Sequence, residues 1–165
     1  MAARGKTGQV AGVIPARWGS SRFPGKPLHQ LAGKSLLGHV IERAGSCKRL
    51  DVVLVATDDE RIQREALANG AEVVMTSGQH KTGTDRVAEA IASFPAIQHI
   101  VNIQGDEPLV SPSLIDLMAD TLRKQKDVDM ITAANPISDL IQLDDPNIVK
   151  VCLLYTSPSP RDVLR

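Results

Sequence analysis

The sequence predicts an α/β domain, a mostly parallel sheet flanked by helices. Three observations carry that expectation. Short β-branched runs alternate along the chain with segments of helical periodicity, the signature of strand–helix–strand units. The run at residues 52–56, VVLVA, is continuously apolar rather than alternating, as a strand covered on both faces must be. Only four aromatics occur, Trp18, Phe23, Phe94 and Tyr155, so the core has to be aliphatic.

Each element has its own reason. Residues 1–9 are small and polar and read as a disordered start. Residues 10–14 form an apolar strand that stops at Pro15. Residues 36–44 place Leu36, Leu37, Val40, Ile41 and Ala44 on one side of a helix capped by Ser35. After the strand at 52–56, residues 59–69 read as a helix with acids in its first turn, Asp59 at its cap and Asn69-Gly70 as its stop. Residues 72–75 are a strand. Residues 84–93 are a helix with Thr84 as candidate cap and Val87, Ala88 and Ile91 inward. Residues 99–103 are a strand, and 111–124 a helix opened by Ser111-Pro112. Residues 130–134 read as a further strand, and 149–154 as the start of another. The α/β domain therefore spans 10–151. Residues 152–165 carry Pro158 and Pro160, which remove ladder donors, and read as a tail foreign to the fold.

Composition narrows the function. The 165 residues suit one domain, and 42% hydrophobic residues suffice for a packed core. Nineteen Lys+Arg balance nineteen Asp+Glu. That disfavours a nucleic-acid partner held by phosphate neutralisation, and so few aromatics disfavour base stacking. Cys47 and Cys152 cannot build a disulfide framework or a four-ligand zinc site. No apolar run reaches the roughly 18 residues of a membrane span. The short apolar stretch after Arg4 and Lys6 is broken by Gly12 and Pro15, unlike a signal peptide. A cytoplasmic protein with no membrane partner is expected.

In parallel sheets, ligands sit beyond the carboxyl ends of the strands. The loop after the first strand, Pro15 to Leu28, packs Arg17, Arg22 and Lys26 among glycines, serines and prolines. Exposed amides beside such cations make an anion cradle; the competing reading is a solvated basic loop. Gly33-Lys34-Ser35 resembles the end of a phosphate loop, but Leu28 stands where that motif needs glycine. No G-x-G-x-x-G follows the first strand, which disfavours a dinucleotide-dependent redox enzyme. After the strand at 99–103 comes Gln104-Gly105-Asp106-Glu107-Pro108. Asp106 is a natural ligand for Mg²⁺, which takes few carboxylates and fills its shell with phosphate oxygens and water. Glu107 reads equally as a solvated turn acid. Asp58 is placed to face the same site. The segment His80 to Arg86 offers Thr82, Gly83 and Arg86 to a nucleotide's base or ribose. Together these groups suit in-line attack at phosphorus by positioning and charge neutralisation.

The segment Val13-Ile-Pro-Ala-Arg-Trp-Gly-Ser-Ser-Arg-Phe-Pro-Gly-Lys-Pro-Leu28 closely resembles the opening of the 3-deoxy-manno-octulosonate (Kdo) cytidylyltransferase family. Val55–Asp59, Thr82–Arg86, Val101–Pro108 and Pro146–Val151 fall in that family's order, so the likeness covers about residues 9–151. It implies a Rossmann-like nucleotidyltransferase fold. It also implies transfer of CMP from CTP to the anomeric hydroxyl of Kdo, with release of pyrophosphate, for lipopolysaccharide synthesis. Mg²⁺ as cofactor and a homodimer belong to the same expectation. Arg17 and Lys26 match the family's triphosphate-binding, catalytic positions, and Arg22 a neighbouring basic one. Asp106 matches a Mg²⁺ ligand, Gln104 a position beside sugar and nucleotide, and Thr82, Gly83 and Arg86 the nucleotide-side loop. Family members run on beyond the length seen here, into segments that supply a second metal aspartate, most Kdo contacts and the dimer interface. The chain alone is therefore expected to bind CTP weakly or not at all and not to turn over. A CMP-sialic acid synthetase, another sugar nucleotidyltransferase, or a non-catalytic nucleotide-binding fragment are the alternatives.

Overall fold

The computed structural model describes residues 8–19, 23–125 and 127–151. The chain divides into two compact units, Met1–Ile131 and Thr132–Arg165.

The first unit holds the sheet. Its strands are β1 (Gln9–Ala16), the short hairpin pair β2 (Gln30–Leu31) and β3 (Lys34–Ser35), β4 (Val52–Thr57), β5 (Glu72–Met75) and β6 (Ile97–Asn102). Its helices are α1 (Leu36–Gly45), α2 (Glu60–Ala68), α3 (Gly83–Ile91) and α4 (Pro112–Lys124). Four strands make one sheet in the order β5-β4-β1-β6, and all three pairings are parallel. Gln9 belongs to β1, its N–H reaching the Ala96 carbonyl at 3.2 Å, so the strand starts one residue earlier than its apolar run. The rest of the expected disordered start, residues 1–7, lies outside the described residues, as does the expected foreign tail, 152–165.

Alternate strand residues feed two cores, which is why β1 and β4 read as unbroken apolar runs. On one face Val10, Ile14 and Val55 pack with Leu37, Val40 and Ile41 of α1, Ile62 and Ala66 of α2, and Ile115 and Ala119 of α4. On the other, Ala11, Val13, Leu54 and Ala56 pack with Val87 and Ala90 of α3. Each fully buried Val, Leu or Ile contributes about 1.5–3 kcal/mol. The inner face of α3 corrects the sequence reading at one position: Ala88 is exposed, and Arg86, Val87 and Ala90 turn inward.

The helix starts follow local chemistry. The Ser35 hydroxyl accepts the Gly38 N–H at 2.9 Å and donates to Glu65 at 2.5 Å, so Lys34-Ser35 is a helix entrance, as expected. Asp59 caps α2 as expected, accepting the Arg61 N–H at 2.9 Å. The cap of α3 is Thr82 rather than Thr84. The Thr82 hydroxyl accepts the Asp85 N–H at 3.1 Å and the Asp85 carboxylate accepts the Thr82 N–H at 3.2 Å, a reciprocal box that Thr84 has no acid to complete.

The strand expected at 130–134 does not form. A strand needs a ladder neighbour, this segment joins neither sheet, and Met130 is 84% exposed. Residues 149–151 are likewise outside any strand, and 152–154 lie outside the described residues. Among the described residues the second unit contributes one short helix, α5 (Ile141–Asp144), whose first N–H is accepted by the Asp139 carboxylate at 2.9 Å. No helix among the described residues is long and apolar enough to cross a membrane.

Candidate functional site

The order β5-β4-β1-β6 means that the chain winds outward from β1 in one direction, then returns to lay β6 on its other side. The ends of β1 and β6 are therefore neighbours at the carboxyl edge of the sheet, where parallel sheets bind ligands. A pocket of about 310 Å³ lies there. Its walls come from the end of β1 (Pro15, Ala16, Arg17), the single 3₁₀ turn Lys26–Leu28 (Lys26, Pro27), the start of α3 and the residues before it (His80, Lys81, Thr82, Gly83, Arg86), and the loop after β6 (Gln104, Gly105, Asp106).

The structure thus gathers Arg17, Lys26, Thr82, Gly83, Arg86, Gln104 and Asp106 around one cavity. Arg22 lies outside the described residues. Glu107 does not line the pocket; it is exposed, and its N–H closes a turn to the Gln104 carbonyl at 3.3 Å. Sequence reasoning did not single out Lys81 as a site residue, although its place between His80 and Thr82, after β5, was the available signal.

Two glycines let backbones meet here. At Gly105 a Cβ would sit 3.1 Å from the Pro15 carbonyl oxygen, so the loop after β6 lies close against the end of β1 where position 105 has no side chain. Gly25 opens the 3₁₀ turn at φ 70°, and a Cβ there would lie 2.7 Å from the Trp18 ring.

Charge is arranged in opposed groups. Lys26 Nζ donates to Asp106 Oδ2 at 2.5 Å across the pocket mouth, with both side chains roughly half exposed. Arg86 is 3% exposed; one guanidinium nitrogen donates to the Thr76 hydroxyl at 2.5 Å and the other lies 3.2 Å from Asp58 Oδ2. Asp58, expected to face the site, does not line the pocket; it pairs with Arg86, which does. That pairing ties the end of β4, the end of β5 and α3 together beneath the pocket. Arg86 therefore has its hydrogen bonds directed at protein groups as well as bordering the cavity.

The stretch between β5 and α3 is anchored by Glu89, whose carboxylate accepts the Ser77 N–H at 2.9 Å and a hydrogen bond from His80. These two donors hold the Glu89 carboxyl below its ordinary range. His80 is thereby held through its Nε2 on Glu89. Asp59 is held at about 2 by the Arg61 guanidinium and by the amides of the first turn of α2. Its contribution to folding is complete above the ordinary carboxylate value of 3.8 and is lost as pH falls through about 2.

No cluster of three or more His, Cys, Asp or Glu able to hold a metal ion occurs among the described residues. Asp106 nonetheless offers one accessible carboxylate at the pocket mouth, which fits Mg²⁺ because that ion takes one or two protein carboxylates and completes its shell with phosphates and water.

The chain is similar to several known proteins. A 3-deoxy-manno-octulosonate cytidylyltransferase from Solibacter usitatus is 50% identical over 143 residues, covering 87% of this chain and 56% of the relative. One from Nitrosococcus oceani is 50% identical over 156 residues, covering 90% of this chain and 60% of the relative. The chain thus spans little more than half the length of these curated relatives. Among solved structures, CMP:2-keto-3-deoxy-manno-octonic acid synthetase complexed with CTP superimposes with a TM-score of 0.70 at 38% identity, over 73% of this chain and 49% of that one. The family model described as cytidylyltransferase matches residues 11–157, so the chain belongs to the cytidylyltransferase family.

Proposed function

We propose that this chain forms the nucleotide-binding part of a 3-deoxy-manno-octulosonate cytidylyltransferase. That enzyme moves CMP from CTP to the anomeric hydroxyl of Kdo. The observation that carries the reading is the convergence of Arg17, Lys26 and Asp106 on one crevice at the strand ends, in a chain half identical to relatives bearing that name.

The hydroxyl oxygen attacks the α-phosphorus of CTP. An O–P bond forms, the bond from that phosphorus to the bridging oxygen breaks, pyrophosphate leaves and the hydroxyl proton is released. Little covalent chemistry falls to the protein, so its residues act by holding charge in place. Arg17 and Lys26 grip the triphosphate. Before binding, Lys26 and Asp106 neutralise each other; a ligand that brings both phosphates and a cation satisfies the two separately. Thr82 and Gly83 shape the nucleotide side of the pocket, and Gln104 lies where nucleotide and sugar meet. Asp106 would hold Mg²⁺, which when bound supplies further neutralisation of phosphate charge. A homodimer in the cytoplasm completes the proposal.

The test is pyrophosphate release from CTP by this chain extended to the length of its curated relatives. Release that requires Kdo is expected. Release with sialic acid in place of Kdo would overturn the acceptor assignment in favour of a CMP-sialic acid synthetase.

A further inference from the structure

Arg17 and Lys26 stand on two ends of one segment, and something must fix their separation. The Trp18 carbonyl accepts the Gly25 N–H at 3.0 Å, closing the neck between those ends. The Trp18 indole packs on Gly25 so closely that a methyl group would not fit. Trp18 is in turn gripped from α2: the Arg61 guanidinium carbon lies 3.3 Å from the indole ring centroid, a cation–π contact. Arg61 itself is not loose. Its Nε and one terminal nitrogen donate to the two oxygens of Asp59, at 3.0 and 2.6 Å, a bidentate fork. Asp59 is rooted in the fold as the cap of α2.

We propose that Arg61, which lies outside the pocket, is a positioning residue for the anion site: it clamps Trp18 over Gly25 and so sets the spacing of Arg17 and Lys26. The chain of contacts runs from the α2 cap through Arg61 and Trp18 to the pocket wall. Arg61 is not among the residues lining the pocket. The inference rests on the reading of the pocket as a triphosphate site.

Trp18 is the single tryptophan of the chain, so its emission reports on the clamp directly. Arg61→Met keeps the length of the side chain and removes the guanidinium. With no nucleotide present, its Trp18 emission is expected to change in wavelength or intensity. Its Kd for CTP, measured calorimetrically with Mg²⁺, is expected to rise about two- to fivefold, the size of a solvent-exposed cation–π contact. Trp18→Leu, which leaves the Arg61 charge in place, is expected to raise Kd similarly. The double variant should be no worse than either single one, because the two residues act as one unit. Additive losses would show that Arg61 acts by its charge alone and would overturn the proposal. Unchanged Trp18 emission in Arg61→Met would also overturn it. If the unaltered protein does not bind CTP, the nucleotide reading fails, while the emission change still decides whether the clamp exists.

Discussion

Replacing Lys26 with methionine is expected to weaken CTP binding by about 10- to 100-fold, because a hydrogen bond to a charged group contributes roughly 1.5–3 kcal/mol. The folded state should hardly notice. The Lys26–Asp106 pair is half exposed, and exposed ion pairs contribute only about 0–1 kcal/mol. Binding calorimetry and a denaturant titration on the same variant separate the two effects. An affinity within threefold of the unaltered protein would remove Lys26 from the ligand's contacts. A large loss of stability would mean that the pair is structural. Arg17→Met should behave in the same way.

The opposite pattern is expected at Arg86. Arg86→Met leaves the Thr76 hydroxyl and the Asp58 carboxylate without the guanidinium that now binds both. Asp58 keeps a quarter of its side-chain surface in water, so the cost falls short of a fully buried unpaired charge. About 2–4 kcal/mol of stability should be lost, read as a lower denaturation midpoint at unchanged slope. Because Arg86 joins β4, β5 and α3 beneath the pocket, weaker CTP binding should accompany that loss. A loss under about 0.5 kcal/mol, the range of ordinary surface changes, would show that the buried contact carries nothing. The contrast between Lys26 and Arg86 distinguishes a group held for the ligand from one held for the protein. The sequence presented both as cations facing a ligand near the strand ends.

What was legible in the sequence follows from where local chemistry decides the structure. β1 and β4 are visible as apolar runs because both of their faces are covered. The caps at Ser35 and Asp59 are visible because a short polar side chain before an amphipathic segment has one strong local use. Thr82 and Thr84 offer the same hydroxyl two residues apart; the acid three residues after Thr82, Asp85, distinguishes them, a spacing signal that the choice of Thr84 passed over. A strand at 130–134 was suggested by its apolar run, but a run states what a segment would bury, not whether a neighbour is there to pair with it. The site loops were found because the fold class dictates which strand ends matter. The clamp of Arg61 on Trp18 was not, since a guanidinium on α2 and an indole after β1 share no spacing or motif in the chain.

The most direct measurement is a crystal of this chain soaked with CTP and Mg²⁺ at concentrations high enough to fill a weak site. The account predicts electron density for the triphosphate between Arg17 and Lys26, with Asp106 turned from Lys26 toward the cation. A triphosphate bound elsewhere, or an empty pocket with Lys26 still on Asp106, would contradict it.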